Sequence, residues 1–69
     1  MKRGKYSLVG IDGNCFYIMG YVIRAMKECN LSKSDQDLYY QDATSSDYSH
    51  LISVSAEMID KCNHIADTM

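Results

Sequence analysis

Sixty-nine residues allow one domain, 1–69, whose core is marginal because a chain this short buries only about 60% of its unfolded surface. The composition is 46% hydrophobic and 23% charged, without proline, which argues against disorder. The net charge of −2 is uninformative in total, but its distribution gives a basic front, residues 1–27, and an acidic back, residues 28–60. The basic front is too weak for a general nucleic-acid binder, which needs a strongly basic surface.

The cysteines indicate a reducing compartment. There are three of them, an odd number without a C-x-x-C pair, which argues against a disulfide framework and a zinc knuckle. We therefore expect free thiols and a cytoplasmic location. The longest apolar stretch, residues 15–26, contains Gly20 and Arg24 and is too short and too polar to span a membrane.

The first predicted element is a β-strand at about residues 5–11. Tyr6 and Leu8 alternate there with Ser7, Val9 and Ile11, and this is the only convincing strand pattern in the chain. Because a lone strand leaves its backbone polar groups unpaired, we expect it to pair with the same strand of another copy. This predicts an α+β fold, one short N-terminal strand followed by three helices, in a homo-oligomer.

Helical periodicity predicts the three helices at about residues 14–29, 33–43 and 48–65. The first is apolar nearly all round, which is typical of a central helix or of one between subunits. Gly20 in its middle is expected to admit a close neighbour, and Asn30 is expected to end the helix in a left-handed conformation. The last residues, 66–69, are expected to fray.

Short polar side chains predict the helix starts. Asp12 or Asn14 can cap the first helix, and Ser32 with Asp35 resembles a capping box for the second. Asp47 suits the start of the third helix. The second helix has only a thin apolar face, formed by Leu38, Tyr39 and Ala43.

The turn before the first helix is the first candidate binding site. A glycine-containing turn that leads into a helix points free N–H groups at the positive pole of the helix, where phosphate or carboxylate binds. A bound phosphate would meet the N–H groups of Gly13, Asn14 and Cys15, while Asp12 would cap the helix or accept from a ribose hydroxyl. The alternative is an ordinary turn with a helix cap, because neither full phosphate-binding fingerprint is present.

A second helix start could contribute to the same site. The segment that contains Ser46 supplies hydroxyl groups, and Tyr48 or Phe16 supplies a ring for stacking. Arg3 or Lys5 from a neighbouring copy could close over the phosphate. Plain capping is again the alternative reading of this second segment.

Catalysis is not expected. Asp12 is the only acid near the turn, whereas a metal site or a pair of catalytic carboxylates needs at least one more. His50 and His64 are 14 residues apart on one helix and are expected on the surface. A pair such as Cys15 with His50 would lack a recognisable nucleophile context. We therefore predict no enzyme activity, no metal and no cofactor.

Two motifs resemble those of a widespread group of very small phage and bacterial proteins. They are D-G-N-x-F-x-I-M-G at residues 12–20 and A-T-S-S-D-Y-x-H-L at residues 43–51, with Met58 late in the last helix. Members of the group open with L-V-G-x-D-G-N and carry S-G-D-Y where this chain has S-S-D-Y. The resemblance spans about residues 7–60.

The resemblance implies a function by analogy, because phages encode tiny oligomeric proteins that trap cyclic nucleotide immune signals. On that basis the chain is expected to be a non-catalytic anti-defence sponge that binds a small anionic nucleotide. The alternative is a small inhibitor or adaptor that binds a host or phage protein. A structural or regulatory subunit without a ligand is the third possibility.

Overall fold

The computed structural model describes residues 6–8 and 10–68. Within them the chain forms three helices, α1 (Cys15–Glu28), α2 (Lys33–Ala43) and α3 (Tyr48–Thr68). Helix α3 packs against both α1 and α2, and α1 also contacts α2. None of these helices is both long enough and apolar enough to cross a membrane.

The predicted caps form at the helix ends. Asn14 is the N-cap of α1, and its Oδ1 accepts from the N–H of Phe16 at 2.8 Å. Asn30, just after the end of α1, has a left-handed backbone with φ 65°. Ser32 and Asp35 form the capping box of α2. Asp47 accepts from the N–H of His50 at 3.0 Å at the start of α3.

The predicted α+β class is wrong, because the described residues contain no strand and their fold is all-α. In the described part of residues 5–11, backbone groups of Tyr6 and Ser7 form hydrogen bonds with side chains of the helices. Tyr6 N donates to Asn63 Oδ1 at 2.7 Å, and Tyr6 O accepts from Asn63 Nδ2 at 2.9 Å. Ser7 N donates to the hydroxyl of Tyr21 at 2.9 Å. The Asn63 and Tyr21 side chains thus occupy groups that a second copy would have paired, so the argument for strand pairing between subunits fails. Lys5 and Val9, which belong to the predicted strand, lie outside the described residues.

The core contains the predicted apolar stripes of α1 and α3. Its fully buried side chains include Val22, Met26 and Cys62, and each apolar side chain of this size contributes about 1.5–3 kcal/mol on burial. The three cysteines are free thiols, with Cys29 and Cys62 buried and Cys15 half-buried. Burial, with the neighbouring Cys29 thiol, raises the pKa of Cys62 to about 12, so this thiol is inert at neutral pH.

Two local expectations are wrong, and a third stays untested. Gly20 has no close neighbour among the described residues, since a Cβ placed on it would meet none of their atoms within 4 Å. Leu38 does not join Tyr39 and Ala43 in the core, and 64% of its surface is exposed. Helix α3 extends to Thr68, and the fraying expected of residues 66–69 stays a prediction. Gly20 and Leu38 are exposed because each lies on a face of its own helix that does not pack against the other helices.

Candidate functional site

The turn before α1 is closed by its own side chains. Asp12 Oδ1 accepts from the N–H of Asn14 at 2.9 Å, and Asn14 Oδ1 accepts from the N–H of Phe16. Asp12 and Asn14 therefore act as caps, and the Asn14 N–H that was predicted to meet a phosphate is occupied by a carboxylate. The N–H groups of Gly13 and Cys15 have no acceptor among the described residues.

The structure brings the two predicted motifs together through Tyr48. Its hydroxyl donates to the carbonyl oxygen of Gly13 at 2.5 Å, across 35 positions in the sequence. This contact ties the start of α3 to the turn before α1. The ring of Tyr48 is 51% exposed, so it lies on the surface beside the turn and can contact a ligand.

A groove of about 300 Å³ lies next to this contact, and we call it the Tyr48 groove. It runs between the first turns of α1 and α3 and the end of α2. Its lining is Cys15, Met19, Ala43, Thr44, Ser46, Asp47, Tyr48 and Leu51. Three of the predicted site residues, Cys15, Ser46 and Tyr48, thus share one depression.

The other predicted site residues lie elsewhere. Asp12, Gly13, Asn14 and Phe16 do not line the Tyr48 groove, although Gly13 reaches Tyr48 through its carbonyl. Phe16 follows Cys15 directly in α1 and is 72% exposed. Arg3 and Lys5 lie outside the described residues.

The charge around the Tyr48 groove is negative. Among the described residues that line the groove, Asp47 carries a charge, and neither lysine nor arginine is present. Asp12 adds a second carboxylate in the turn before Cys15. A phosphate in this groove would therefore lack a compensating cation from the described residues, whereas an uncharged apolar group would not be repelled.

His50 is engaged outside the groove lining. Its Nε2 lies 2.9 Å from Asp42 Oδ1, and this hydrogen bond is the main reason why the pKa of His50 is raised above 6.5. In the described part of the chain, no group of three or more histidine, cysteine, aspartate or glutamate side chains is placed to hold a metal ion.

Sequence reasoning missed a second groove, of about 350 Å³, between α2 and α3. We call it the Leu38 groove, and its lining is Asp35, Leu38, Tyr39, Asp42, Val54, Glu57, Met58 and Lys61. A signal for it was present, because Asp35, Leu38 and Asp42 are spaced three and four residues apart and so share one face of α2. Leu38 therefore belongs to the face of α2 that carries these acids, whereas Tyr39 and Ala43 are buried in the core.

No protein-family model matches this chain, and neither a curated protein nor a solved structure matches it.

Proposed function

We propose that the chain is a non-catalytic binding protein, an inhibitor or adaptor that engages a partner protein by accepting an apolar side chain in the Tyr48 groove. The observation that carries the proposal is the set of exposed aromatic rings at this end of the molecule. Tyr48 in the groove lining is 51% exposed, and Phe16, which follows the lining residue Cys15 in α1, is 72% exposed. The groove floor is apolar and includes Met19 and Leu51. Aromatic side chains and methionine are enriched at the centres of protein interfaces.

The nucleotide-sequestering function stays a prediction, and the electrostatics favour the protein-binding alternative. The positive pole of α1 near Gly13 and the ring of Tyr48 support a nucleotide. Against it stand the carboxylate of Asp12, which occupies the N–H of Asn14, and the carboxylate of Asp47 in the groove lining. A phosphate would have to displace the first and tolerate the second.

Two kinds of probe distinguish these functions. We expect N-acetyltryptophanamide, a capped aromatic amino acid, to shift the amide NMR signals of Met19, Thr44 and Leu51. A panel of linear and cyclic nucleotides should leave those signals and the melting temperature unchanged. A nucleotide at 100 times its Kd would instead add about 2.7 kcal/mol to the free energy of unfolding, and that result would favour the sponge.

Peptides selected from a random library on the immobilised chain provide the affinity test. Tyr48→Ala should weaken the affinity for the selected peptides at least tenfold, which corresponds to about 1.4 kcal/mol of binding free energy. Tyr48→Phe keeps the ring and should retain binding. Tyr40→Ala is the matched control, because Tyr40 is a 46% exposed tyrosine of α2 that lines neither the Tyr48 groove nor the Leu38 groove. If no peptide is enriched, or if Tyr48→Ala binds like the parent, the proposal is wrong.

We also propose self-association, now without strand pairing. Its support is the exposed apolar surface of Phe16 and Tyr17 on α1, which a second copy would cover. Light scattering at micromolar concentration should give at least a dimer mass, and Phe16→Ala should lower it. A cooperative melt of a clean monomer would contradict this. A phage origin and an anti-defence role stay predictions from the resemblance, as does a cytoplasmic location from the free thiols.

A further inference from the structure

The Leu38 groove combines an apolar floor with an acidic rim, and it lies outside the surface proposed for the Tyr48 groove. We propose that it binds a basic amphipathic helix of a partner protein. This goes beyond the function proposed for the Tyr48 groove, because it concerns another surface and another chemical class of ligand. A chain with both grooves would be an adaptor with two distinct binding surfaces.

The floor of the groove is suited to apolar side chains. Leu38 is 64% exposed on α2, and Val54 and Met58 lie half-buried on successive turns of α3. A row of apolar residues between two packed helices is the surface on which an amphipathic helix lays its own apolar face. Met58 is unbranched and flexible, so it can adjust to the side chains that enter.

The rim supplies the charge complementarity. Asp35 and Asp42 line it from α2, Glu57 lines it from α3, and Lys61 is the cation of the described lining. Asp35 is part of the capping box and Asp42 bonds His50. Glu57 is exposed, and its side chain has no hydrogen bond or ion pair within the described residues. Its carboxylate is available to a lysine or arginine of the partner.

The charge of the surrounding chain supports the same partner. Residues 28–60 contain seven acids and one base, Lys33, so this half of the protein attracts cations over some distance. The same field repels nucleic acids and anionic membrane surfaces, which carry negative charge. An uncharged apolar helix would fill the floor and leave the acids of the rim unused. The partner that satisfies both parts has apolar residues at i, i+3, i+4 and i+7 with lysine or arginine beside them.

The test uses the full chain and a labelled four-turn helical peptide with leucines at those positions and lysines elsewhere. Fluorescence anisotropy should show saturable binding that weakens as salt rises. Two matched peptides serve as controls, one with glutamate in place of lysine and one of the same composition without the apolar stripe. Each should bind at least tenfold more weakly, and equal binding by either would overturn the proposal.

Variants place the peptide on the protein. Leu38→Ala and Glu57→Lys should each weaken binding at least tenfold. Tyr40→Ala, which changes an exposed residue of α2 outside the lining of both grooves, should bind like the parent. Glu57→Gln removes only the charge and should give an intermediate loss, so the rim is tested even if Leu38→Ala fails to fold. Parent-like binding by both Leu38→Ala and Glu57→Lys, or a tenfold loss of binding in Tyr40→Ala, would overturn the proposal. A dimer mass of the parent in light scattering that Leu38→Ala lowers to the monomer mass would overturn it in favour of a second copy as the occupant.

Discussion

The side-chain amide of Asn63 pairs with both backbone polar groups of Tyr6, accepting from its N–H at 2.7 Å and donating to its carbonyl oxygen at 2.9 Å. The two residues are 57 positions apart, and the pair fastens the N-terminal segment to α3. A backbone group that loses its partner in a partly buried position destabilises the fold, since it gives up a hydrogen bond and stays desolvated.

We expect Asn63→Ala to lower the free energy of unfolding by about 1–3 kcal/mol, because both groups of Tyr6 then lose this partner. Asn63→Asp should also destabilise, since a carboxylate can accept from the N–H of Tyr6 but cannot donate to its carbonyl. Urea denaturation measures both. His64→Ala, an exposed neighbour on α3, is the control and should change stability by no more than about 0.5 kcal/mol. Equal stability of Asn63→Ala and His64→Ala would show that the pair contributes nothing.

The two described glycines at open positions should respond to alanine in opposite directions. Gly20 is exposed inside α1 with space for a Cβ, so Gly20→Ala should raise the free energy of unfolding by about 1 kcal/mol. Gly10 also has space, but its φ is +83°, and Gly10→Ala should lower the free energy of unfolding by about 1–2 kcal/mol. Thermal melts of the two variants check the signs. A stabilising Gly10→Ala would contradict the left-handed turn.

The buried hydroxyl groups of Tyr39 and Ser55 join α2 to α3 at 2.6 Å. Tyr39→Phe leaves the Ser55 hydroxyl without this partner and should destabilise the fold by about 1–3 kcal/mol. The double variant Tyr39→Phe/Ser55→Ala should be less destabilised than the sum of the single variants, because it removes both polar groups. Chemical denaturation of the four proteins completes the cycle. Additive effects would mean that the hydroxyl groups do not interact.

The Asp42–His50 pair makes stability depend on pH. Its hydrogen bond raises the pKa of His50 above 6.5 in the folded chain, although burial opposes the shift. Because a raised pKa means tighter proton binding in the folded state, the stabilisation is full below about pH 6.5 and is lost as pH rises through the folded pKa. The difference in the free energy of unfolding between the parent and His50→Gln should therefore be largest at acidic pH and shrink as pH rises. Denaturation midpoints from pH 5.5 to 8.5 measure the difference.

Asp42→Asn serves as the control for that pair. It removes the carboxylate and keeps His50, so its stability should lose the same pH-dependent contribution. A stability difference between parent and His50→Gln that is constant across the range would contradict the assignment.

The candidate site was only partly accessible to sequence reasoning. The turn at Asp12 and Asn14 was located by its capping residues, which act within two or three positions of themselves. The contact of Tyr48 with Gly13 and the shared groove with Cys15 depend on how α1, α2 and α3 meet. No local pattern specifies that geometry, so the sequence indicates the proximity of these residues only as one possibility.

The sequence by itself determined the three helices, their caps and the free thiols, because periodicity, capping boxes and cysteine spacing are local properties. Only the tertiary structure decided what happens to the N-terminal segment and to Leu38. An extended segment needs hydrogen-bond partners for its backbone, and the sequence pattern does not specify which groups supply them. In the folded chain the side chain of Asn63 on α3 is the partner of Tyr6, instead of another strand. An apolar residue such as Leu38 favours burial, but only one face of α2 packs against the core. Tyr39 and Ala43 occupy that face, so Leu38 stays exposed.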